Sequence, residues 1–131
     1  MNALLYAALA VGVLWLAYLG YLYWLGHASI GRSVAAAANE LPAIDAAAGA
    51  SLVYFYSEQC PPCRDMTPSV EQLADEREGI HKVDVTAHRE LARLFGVRAT
   101  PMAFVVKEGR IVQALLGAKR HEALVKALDS A

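Results

Sequence analysis

The sequence has no charged side chain before Arg32 and only two cysteines in 131 residues. A net charge of −1 and the lack of a clustered basic face argue against binding driven by nucleic-acid phosphates. A closed zinc site needs about four ligands. With no second cysteine pair, only His81 and His88 could complete one, and they stand at no recognisable zinc spacing. We therefore predict neither a nucleic-acid partner nor a bound metal.

An uncharged, apolar run extends from Ala3 to Gly26. It is long enough to cross a bilayer as one helix, for which roughly 20 apolar residues suffice. A cleaved signal peptide is the alternative, but its apolar region is only about 7–15 residues long and follows a basic segment that is missing here. The prediction is a single-pass anchor in the lipid bilayer at residues 1–26. Its C-terminal end carries aromatic residues suited to the membrane interface, namely Tyr18, Tyr21, Tyr23 and Trp24.

The charged residues that flank the apolar run give only weak evidence for the side of the membrane on which the rest of the chain lies. The N-terminal flank has no Lys or Arg, whereas the other flank has Arg32. Taken alone, the positive-inside rule then favours a cytoplasmic C-terminal domain. The cysteine count does not decide the compartment, because a catalytic pair works in reducing or oxidising surroundings.

Residues 27–49 are predicted to form a linker with short helical pieces. The stretch Ser33–Glu40 is rich in alanine, which favours a helix, and Ser33 is a candidate N-cap. Pro42 interrupts this piece, and Ile44–Ala48 is a second candidate. A plain flexible spacer is the alternative, because alanine offers little surface to pack.

From residue 50 to 131 the pattern of apolar residues changes to that of an α/β domain. Strands alternate with amphipathic helices in the order β-α-β-α-β-β-α, and the last two strands pair antiparallel. Strands are predicted at Leu52–Tyr56, Ile80–Val85, Met102–Val106 and Arg110–Leu116. Helices are predicted at Pro62–Glu76, from Thr86 or Ala87 to Gly96, and at Lys119–Leu128.

The two cysteines, Cys60 and Cys63, are separated by Pro61 and Pro62. A strand that ends at a cysteine pair opening a helix is the layout of a dithiol redox site. The helix N-terminus favours a thiolate at Cys60, the nucleophile, and Cys63 lies about one turn further in, placed to resolve a disulfide formed there. Because neither proline can donate an N–H, we expect a reducing rather than a strongly oxidising couple.

A structural disulfide is the alternative to redox chemistry at this pair. A bridge across so short a loop removes little entropy from the unfolded chain, so stability is a poor reason for it. Redox chemistry is therefore the prediction, and no cofactor is expected beyond the Cys60–Cys63 disulfide itself.

Several motifs of the region from 50 to 131 occur together in one order. They are a hydrophobic strand before Cys60-Pro61-Pro62-Cys63, then Pro68, Lys82, Phe95-Gly96-Val97-Arg98-Ala99-Thr100-Pro101, Lys107-Glu108-Gly109 and Gly117-Ala118. In this order and at these spacings they resemble the thioredoxin family. The resemblance implies a thioredoxin-like mixed sheet flanked by helices, preceded here by a single N-terminal transmembrane helix.

The resemblance also implies a groove that binds substrate. Pro101 would be the cis-proline that faces the dithiol, and Thr100 would offer its backbone N–H and C=O to an extended substrate segment beside Cys60. Gly117 and Ala118 would form the other lip of this groove.

The sequence departs from the family beneath the dithiol. Where the family has a buried aspartate six residues before the first cysteine, this chain has Tyr54, so Lys82 lacks its usual carboxylate partner. In the family, that aspartate is the group that accepts the proton of the second cysteine. In this chain Glu58 or Asp65 takes over that role, or water or substrate accepts the proton, or turnover is slower.

The predicted function is a membrane-tethered thiol–disulfide oxidoreductase that reduces disulfides in protein clients. Its partners would be those clients and an electron donor, either membrane-bound or soluble. Similarity to bacterial envelope reductases places the domain outside the cytoplasm, on the periplasmic side. The alternatives are an anchored thioredoxin that faces the cytoplasm and a non-catalytic binding or assembly module at the membrane.

Overall fold

The computed structural model describes residues 1–41 and 49–131. The helices are α1 (Asn2–His27), a short 3₁₀ helix (Ala35–Asn39), α2 (Pro61–Glu76), α3 (Arg89–Phe95) and α4 (His121–Asp129). The strands are β1 (Ser51–Tyr56), β2 (Ile80–Asp84), β3 (Met102–Lys107) and β4 (Arg110–Leu116).

β1 lies in the interior of the sheet, whose strand order is β2-β1-β3-β4. It pairs parallel with β2 and antiparallel with β3, and β3 pairs antiparallel with β4. A strand buried on both faces needs a nearly continuous apolar run, which β1 has. The mixed sheet flanked by helices that the sequence predicts is therefore confirmed.

Alternate residues of β1 point to opposite sides of the sheet. Val53 and Phe55 belong to a core cluster formed with α3 and the 3₁₀ segment. Leu52 and Tyr54 belong to a second cluster formed with α2 and α4. Tyr54 is therefore buried on the side of the sheet that is covered by the helix carrying the cysteines.

Three aromatic rings join α3 to the sheet. The ring centroids of Phe55 and Phe95 are 5.1 Å apart, those of Phe95 and Phe104 are 5.3 Å apart, and those of Phe55 and Phe104 are 5.6 Å apart. Tilted and edge-on rings at this spacing are favourable pairs in addition to the area they bury. The cluster holds α3 against the two central strands.

α3 begins at Arg89, later than the predicted start at Thr86 or Ala87. The carboxylate of Asp84 accepts hydrogen bonds from the backbone N–H and the hydroxyl of Thr86, at 2.9 and 2.7 Å. These bonds lower the pKa of Asp84 and hold the chain in a turn before the helix can start.

Ser33 does not cap a helix, so that prediction is wrong. Ser33 instead forms an isolated antiparallel bridge with Arg110, and the following 3₁₀ helix has Val34 at its N-cap. β4 is an edge strand whose free backbone groups are available for pairing, and this pairing takes the place of capping. The candidate helix Ile44–Ala48 lies outside the described residues.

Part of the predicted linker is packed into the domain. Val34 and Ala37 are fully buried in the same cluster as Phe55. The N–H of Val34 donates to the carbonyl of Gly109 at 2.8 Å. Residues 29–41 therefore form part of the folded domain and do not act as a free spacer.

α1 differs from the other helices in having no buried residue. Its 26 residues carry no Asp, Glu, Lys or Arg. By length and composition it could cross a membrane, and a signal sequence would pass the same test.

Candidate active site

Three segments meet at one end of the sheet, where β1 and β4 end and β3 begins. Phe55 near the end of β1 is opposite Met102 at the start of β3, and Met102 is opposite Leu116 at the end of β4. This end of the sheet therefore holds the cysteine segment that follows β1, the Thr100–Pro101 pair before β3 and the Gly117–Ala118 pair after β4.

The two segments predicted to line a groove are hydrogen-bonded to each other. The peptide bond between Thr100 and Pro101 is cis, and the carbonyl of Pro101 accepts a hydrogen bond from the N–H of Gly117 at 3.0 Å. Gly117 has a φ of +85°, which favours glycine at this position. Ala118 follows as an exposed residue.

The two cysteines are joined in a disulfide, with their Cα atoms 5.3 Å apart. Cys60 is the N-cap of α2 and has an extended backbone, and Cys63 lies within the first turn. Cys60 is 9% exposed, whereas Cys63 is 2% exposed. Cys60 is therefore the sulfur that an incoming partner reaches more easily.

The prolines remove hydrogen-bond donors from the start of α2. Pro61 and Pro62 occupy its first two positions, so neither position has an N–H. The next N–H, that of Cys63, donates to the carbonyl of Cys60 at 3.2 Å. A thiolate at Cys60 is left with few backbone donors, because a cap atom normally accepts from the second or third position.

Tyr54 and Thr67 together hold the backbone of Cys63. The Tyr54 hydroxyl donates to the carbonyl of Cys63 at 3.1 Å, and the Thr67 hydroxyl donates to the same carbonyl at 2.8 Å. The two hydroxyl oxygens are 3.1 Å apart. Burial raises the pKa of Tyr54, which keeps its hydroxyl protonated at neutral pH. This position therefore offers a hydrogen-bond donor and no base.

Lys82 has a carboxylate partner that the sequence did not indicate. Its Nζ lies 3.0 Å from Oε1 of Glu71 on α2, and 5.6 Å from the centre of the Tyr56 ring. The hydrogen bond to Glu71 raises the pKa of Lys82. Lys82 is thus engaged in a solvent-exposed ion pair, and neither Glu58 nor Asp65 is its partner.

A cavity of about 360 Å³ lies beside Cys63. Glu58 contributes to its wall together with Cys63, whereas Asp65 is exposed elsewhere on the surface of α2. Of the two carboxylates predicted as substitutes for the missing aspartate, Glu58 is therefore the one that shares a space with Cys63. The lining residues are Tyr56, Ser57, Glu58, Cys63, Arg64, Thr67 and Pro68.

Comparisons with known proteins agree with this geometry. The family model described as Thioredoxin matches residues 35–130. A thioredoxin of Chlorobaculum thiosulfatiphilum is 35% identical over 83 residues, which cover 61% of this chain and 77% of the relative. The chain belongs to the thioredoxin family. A thioredoxin of Chlamydia muridarum is 38% identical over 85 residues, which cover 63% of this chain and 83% of the relative.

A solved structure supports the same assignment. A mutant thioredoxin from Halobacterium salinarum NRC-1 is 30% identical, covers 70% of this chain and 82% of its own, and gives a TM-score of 0.64. As a thioredoxin-family protein with the cysteine pair, the chain is a protein-disulfide oxidoreductase. The family match starts at residue 35, after α1, so membership in the thioredoxin family does not account for that helix.

Sequence reasoning missed two residues of this thioredoxin-family site. Thr67 supports Cys63 from one helical turn away, and its spacing of four residues from Cys63 was a signal that could have been used. Glu71 has no comparable signal, because its contact with Lys82 depends on how α2 crosses β2.

Proposed function

We propose that this protein is a membrane-tethered thiol–disulfide oxidoreductase that reduces disulfides in protein clients. The observation that carries the proposal is the cysteine pair at the start of α2, with Cys60 the more accessible sulfur. In the reduced protein the Cys60 thiolate attacks one sulfur of a client disulfide. The other client sulfur leaves as a thiolate, and Cys60 remains bonded to the client in a mixed disulfide.

Cys63 then completes the reaction. Its thiolate attacks the sulfur of Cys60, the second client thiolate leaves, and the Cys60–Cys63 disulfide forms. Two electrons pass to the client, and both client thiolates take up protons from solvent. A dithiol donor, in the membrane or in solution, returns two electrons to the disulfide. No further cofactor takes part in this cycle.

Cys63 must lose its proton before it attacks. We assign this step to Glu58 acting through water in the cavity that both residues line. Tyr54 is excluded as the base because burial raises its pKa, and Lys82 is held by Glu71. Tyr54 and Thr67 position the backbone of Cys63 during the attack.

The segments Thr100–Pro101 and Gly117–Ala118 are proposed to bind the client. They meet at the end of the sheet where the cysteines also lie, and the hydrogen bond between Gly117 and Pro101 holds them together. An extended client segment could hydrogen-bond to the backbone N–H and C=O of Thr100, which would place its sulfur against Cys60.

α1 supports the membrane-tethered part of the proposal through its length, its composition and its lack of buried residues. We place the domain on the outer, periplasmic side of the membrane. A membrane-impermeant maleimide, applied to intact, briefly reduced cells that carry a Cys63→Ser version, tests this placement. Labelling of Cys60 before lysis supports it, and labelling only after lysis places the domain in the cytoplasm.

Trapping of mixed disulfides tests the catalytic proposal. A Cys63→Ser variant cannot resolve the mixed disulfide, so it should accumulate covalent adducts with client proteins that a thiol reductant releases. The Cys60→Ser variant should form no such adducts and should lose the cellular role of the protein. Retention of that role by Cys60→Ser would instead favour a non-catalytic binding module. This alternative is supported by the presence of Tyr54 in place of the family carboxylate.

A further inference from the structure

The segment that follows α1 is paired with the edge of the sheet. The N–H of Gly31 donates to the carbonyl of Ile111 at 2.7 Å, and the N–H of Ile111 donates to the carbonyl of Arg32 at 3.0 Å. The Arg110 guanidinium also donates to the carbonyl of Gly31, at 3.2 Å. Residues 31–34 thus extend the sheet beyond β4.

The same segment is fastened to α3. The Arg32 guanidinium donates to the carbonyls of Arg93 and Leu94 in the last turn of that helix, at 3.4 and 3.3 Å. Ser29 is 3% exposed. Only a few residues separate α1 from these contacts, so the helix and the domain are not joined by a flexible tether.

The end of α1 meets the domain beside the proposed groove. A cavity of about 210 Å³ separates the two, and the Arg98 guanidinium carbon lies 5.6 Å from the centre of the Trp24 ring. A guanidinium at this distance from an indole makes a favourable cation–π contact. The cavity is lined by Leu22, Leu25, Gly26, Arg98, Ala99, Met102 and Leu116.

The two segments that form the groove are each preceded in the sequence by residues that face α1. Arg98 and Ala99 precede the Thr100–Pro101 lip, and Leu116 precedes the Gly117–Ala118 lip. Leu116 is 54% exposed, an apolar side chain left open at this boundary. The groove is therefore held next to the end of the helix that we propose spans the membrane.

We infer that the groove opens at the bilayer surface and that the clients are membrane proteins whose reactive cysteine lies within a few residues of their own membrane-spanning segment. This inference rests on the proposed function. An extended chain rises about 3.3 Å per residue, so a cysteine about three or four residues outside the bilayer reaches roughly 10–13 Å from it. A cysteine much further out would have to fold back toward the membrane to enter the groove.

Proteoliposomes that contain the full chain and single-span peptides test the inference. Each peptide carries one disulfide, placed about 3, 8 or 14 residues beyond its membrane span, the last roughly 45 Å out when extended. The reduction rate should be highest for the nearest disulfide and fall at least about tenfold across the series, because the fixed groove gives the nearest disulfide the highest effective concentration. A soluble disulfide peptide should be reduced at an ordinary rate.

A second variant tests whether the fixed attachment of the domain to α1 causes the dependence on disulfide position. A spacer of about 12 Gly and Ser residues between His27 and Ala28 spans roughly 20 Å as a random coil, and it should flatten the dependence on position. The same residues added after Ala131 should leave the dependence steep. Reduction of the soluble peptide at equal rates by all versions shows that each is folded and active.

The outcomes distinguish the two proposals. If no version reduces any of the peptides, the proposed function fails. If the soluble peptide is reduced but the original chain shows a flat dependence on position, the inference is overturned and the function stands. A dependence that stays steep in the version with the spacer at residues 27–28 also overturns the inference, since fixed attachment would then not be its cause.

Discussion

The hydroxyl of Tyr54 donates a hydrogen bond to the backbone carbonyl of Cys63 across 3.1 Å. This bond joins the centre of the sheet to the first turn of the helix that carries the disulfide. Because burial raises the pKa of Tyr54, the side chain supports Cys63 as a donor and cannot accept its proton. Tyr54 therefore has a positioning role in this protein, and proton transfer must be assigned to another group.

Tyr54→Phe should lower the free energy of unfolding by about 1 kcal/mol, the usual net value of one buried hydrogen bond. Thr67 still donates to the Cys63 carbonyl, so the loss should not be larger. The pH profile of disulfide reduction should keep its shape at neutral pH, because Tyr54 does not titrate there. Denaturation of the full chain in mild detergent and initial rates across pH measure both effects.

Tyr56→Phe is the matched control for stability, since it removes a neighbouring hydroxyl that does not contact the Cys63 carbonyl. It should leave the free energy of unfolding unchanged. A shifted pH profile in Tyr54→Phe would contradict the positioning role and make Tyr54 a participant in proton transfer.

Glu58→Gln should slow the attack of Cys63 on the mixed disulfide by about tenfold at neutral pH. The carboxylate acts through water in an open cavity, so its effect should be smaller than the roughly 100-fold or more of a directly placed base. The release of a chromogenic thiol from a mixed disulfide with Cys60 measures this step by itself. The rate of the variant should recover as rising pH ionises Cys63 without help.

Asp65→Asn is the control for this prediction, because Asp65 lies on α2 close to the dithiol but does not line the cavity. Its resolution rate should equal that of the unchanged protein. Equal slowing in both variants would indicate a general loss of negative charge near the dithiol and would remove the assignment of Glu58 as the base.

Pro62→Ala should increase the thiolate fraction of Cys60 at neutral pH. The substitution restores an N–H at the second position of α2, from which an N-cap atom can accept a hydrogen bond. The rate of alkylation of Cys60 as a function of pH measures the change. Pro61→Ala restores an N–H at the first position, which does not point at the cap atom, so its effect should be clearly smaller.

Local sequence pattern was sufficient to predict the strands, the order of the elements and the cysteine pair. The apolar run of β1, the opening of α2 at Pro61 and Pro62 and the glycine at the end of α3 are each encoded by neighbouring residues. Such signals depend on the backbone preferences of the residues and on the spacing of the apolar side chains, and both can be read within a single helix or strand.

Contacts between distant elements could not be predicted in this way. The Arg32 guanidinium reaches carbonyls 61 and 62 residues away, and Lys82 pairs with Glu71 across two packed elements. The burial of Val34 depends on the free edge of β4, which no pattern near residue 34 reveals. Each of these contacts depends on the docking of elements, and each concerns either the attachment of α1 or the surroundings of the dithiol.

His81 should make the folded protein less stable as the solution becomes mildly acidic. Its Nε2 atom is buried and, in the part of the chain that the structure describes, has no hydrogen-bond partner. Burial lowers the pKa of His81 from its ordinary value of 6.5. The folded state thus binds a proton less readily than the unfolded state, so stability is greatest above pH 6.5 and is lost as the pH falls toward the lowered pKa.

His81→Gln should weaken this loss, because glutamine keeps a polar side chain that does not titrate. The lowered pKa values of Glu76 and Asp84 contribute stability that is lost only below their ordinary values of 4.5 and 3.8. Unfolding measured between pH 7 and pH 5 therefore separates the effect of His81 from that of these carboxylates. His88→Gln removes an exposed histidine and should leave the acid-dependent loss intact. An equal loss in His81→Gln and the unchanged protein would show that protonation of His81 is not its cause.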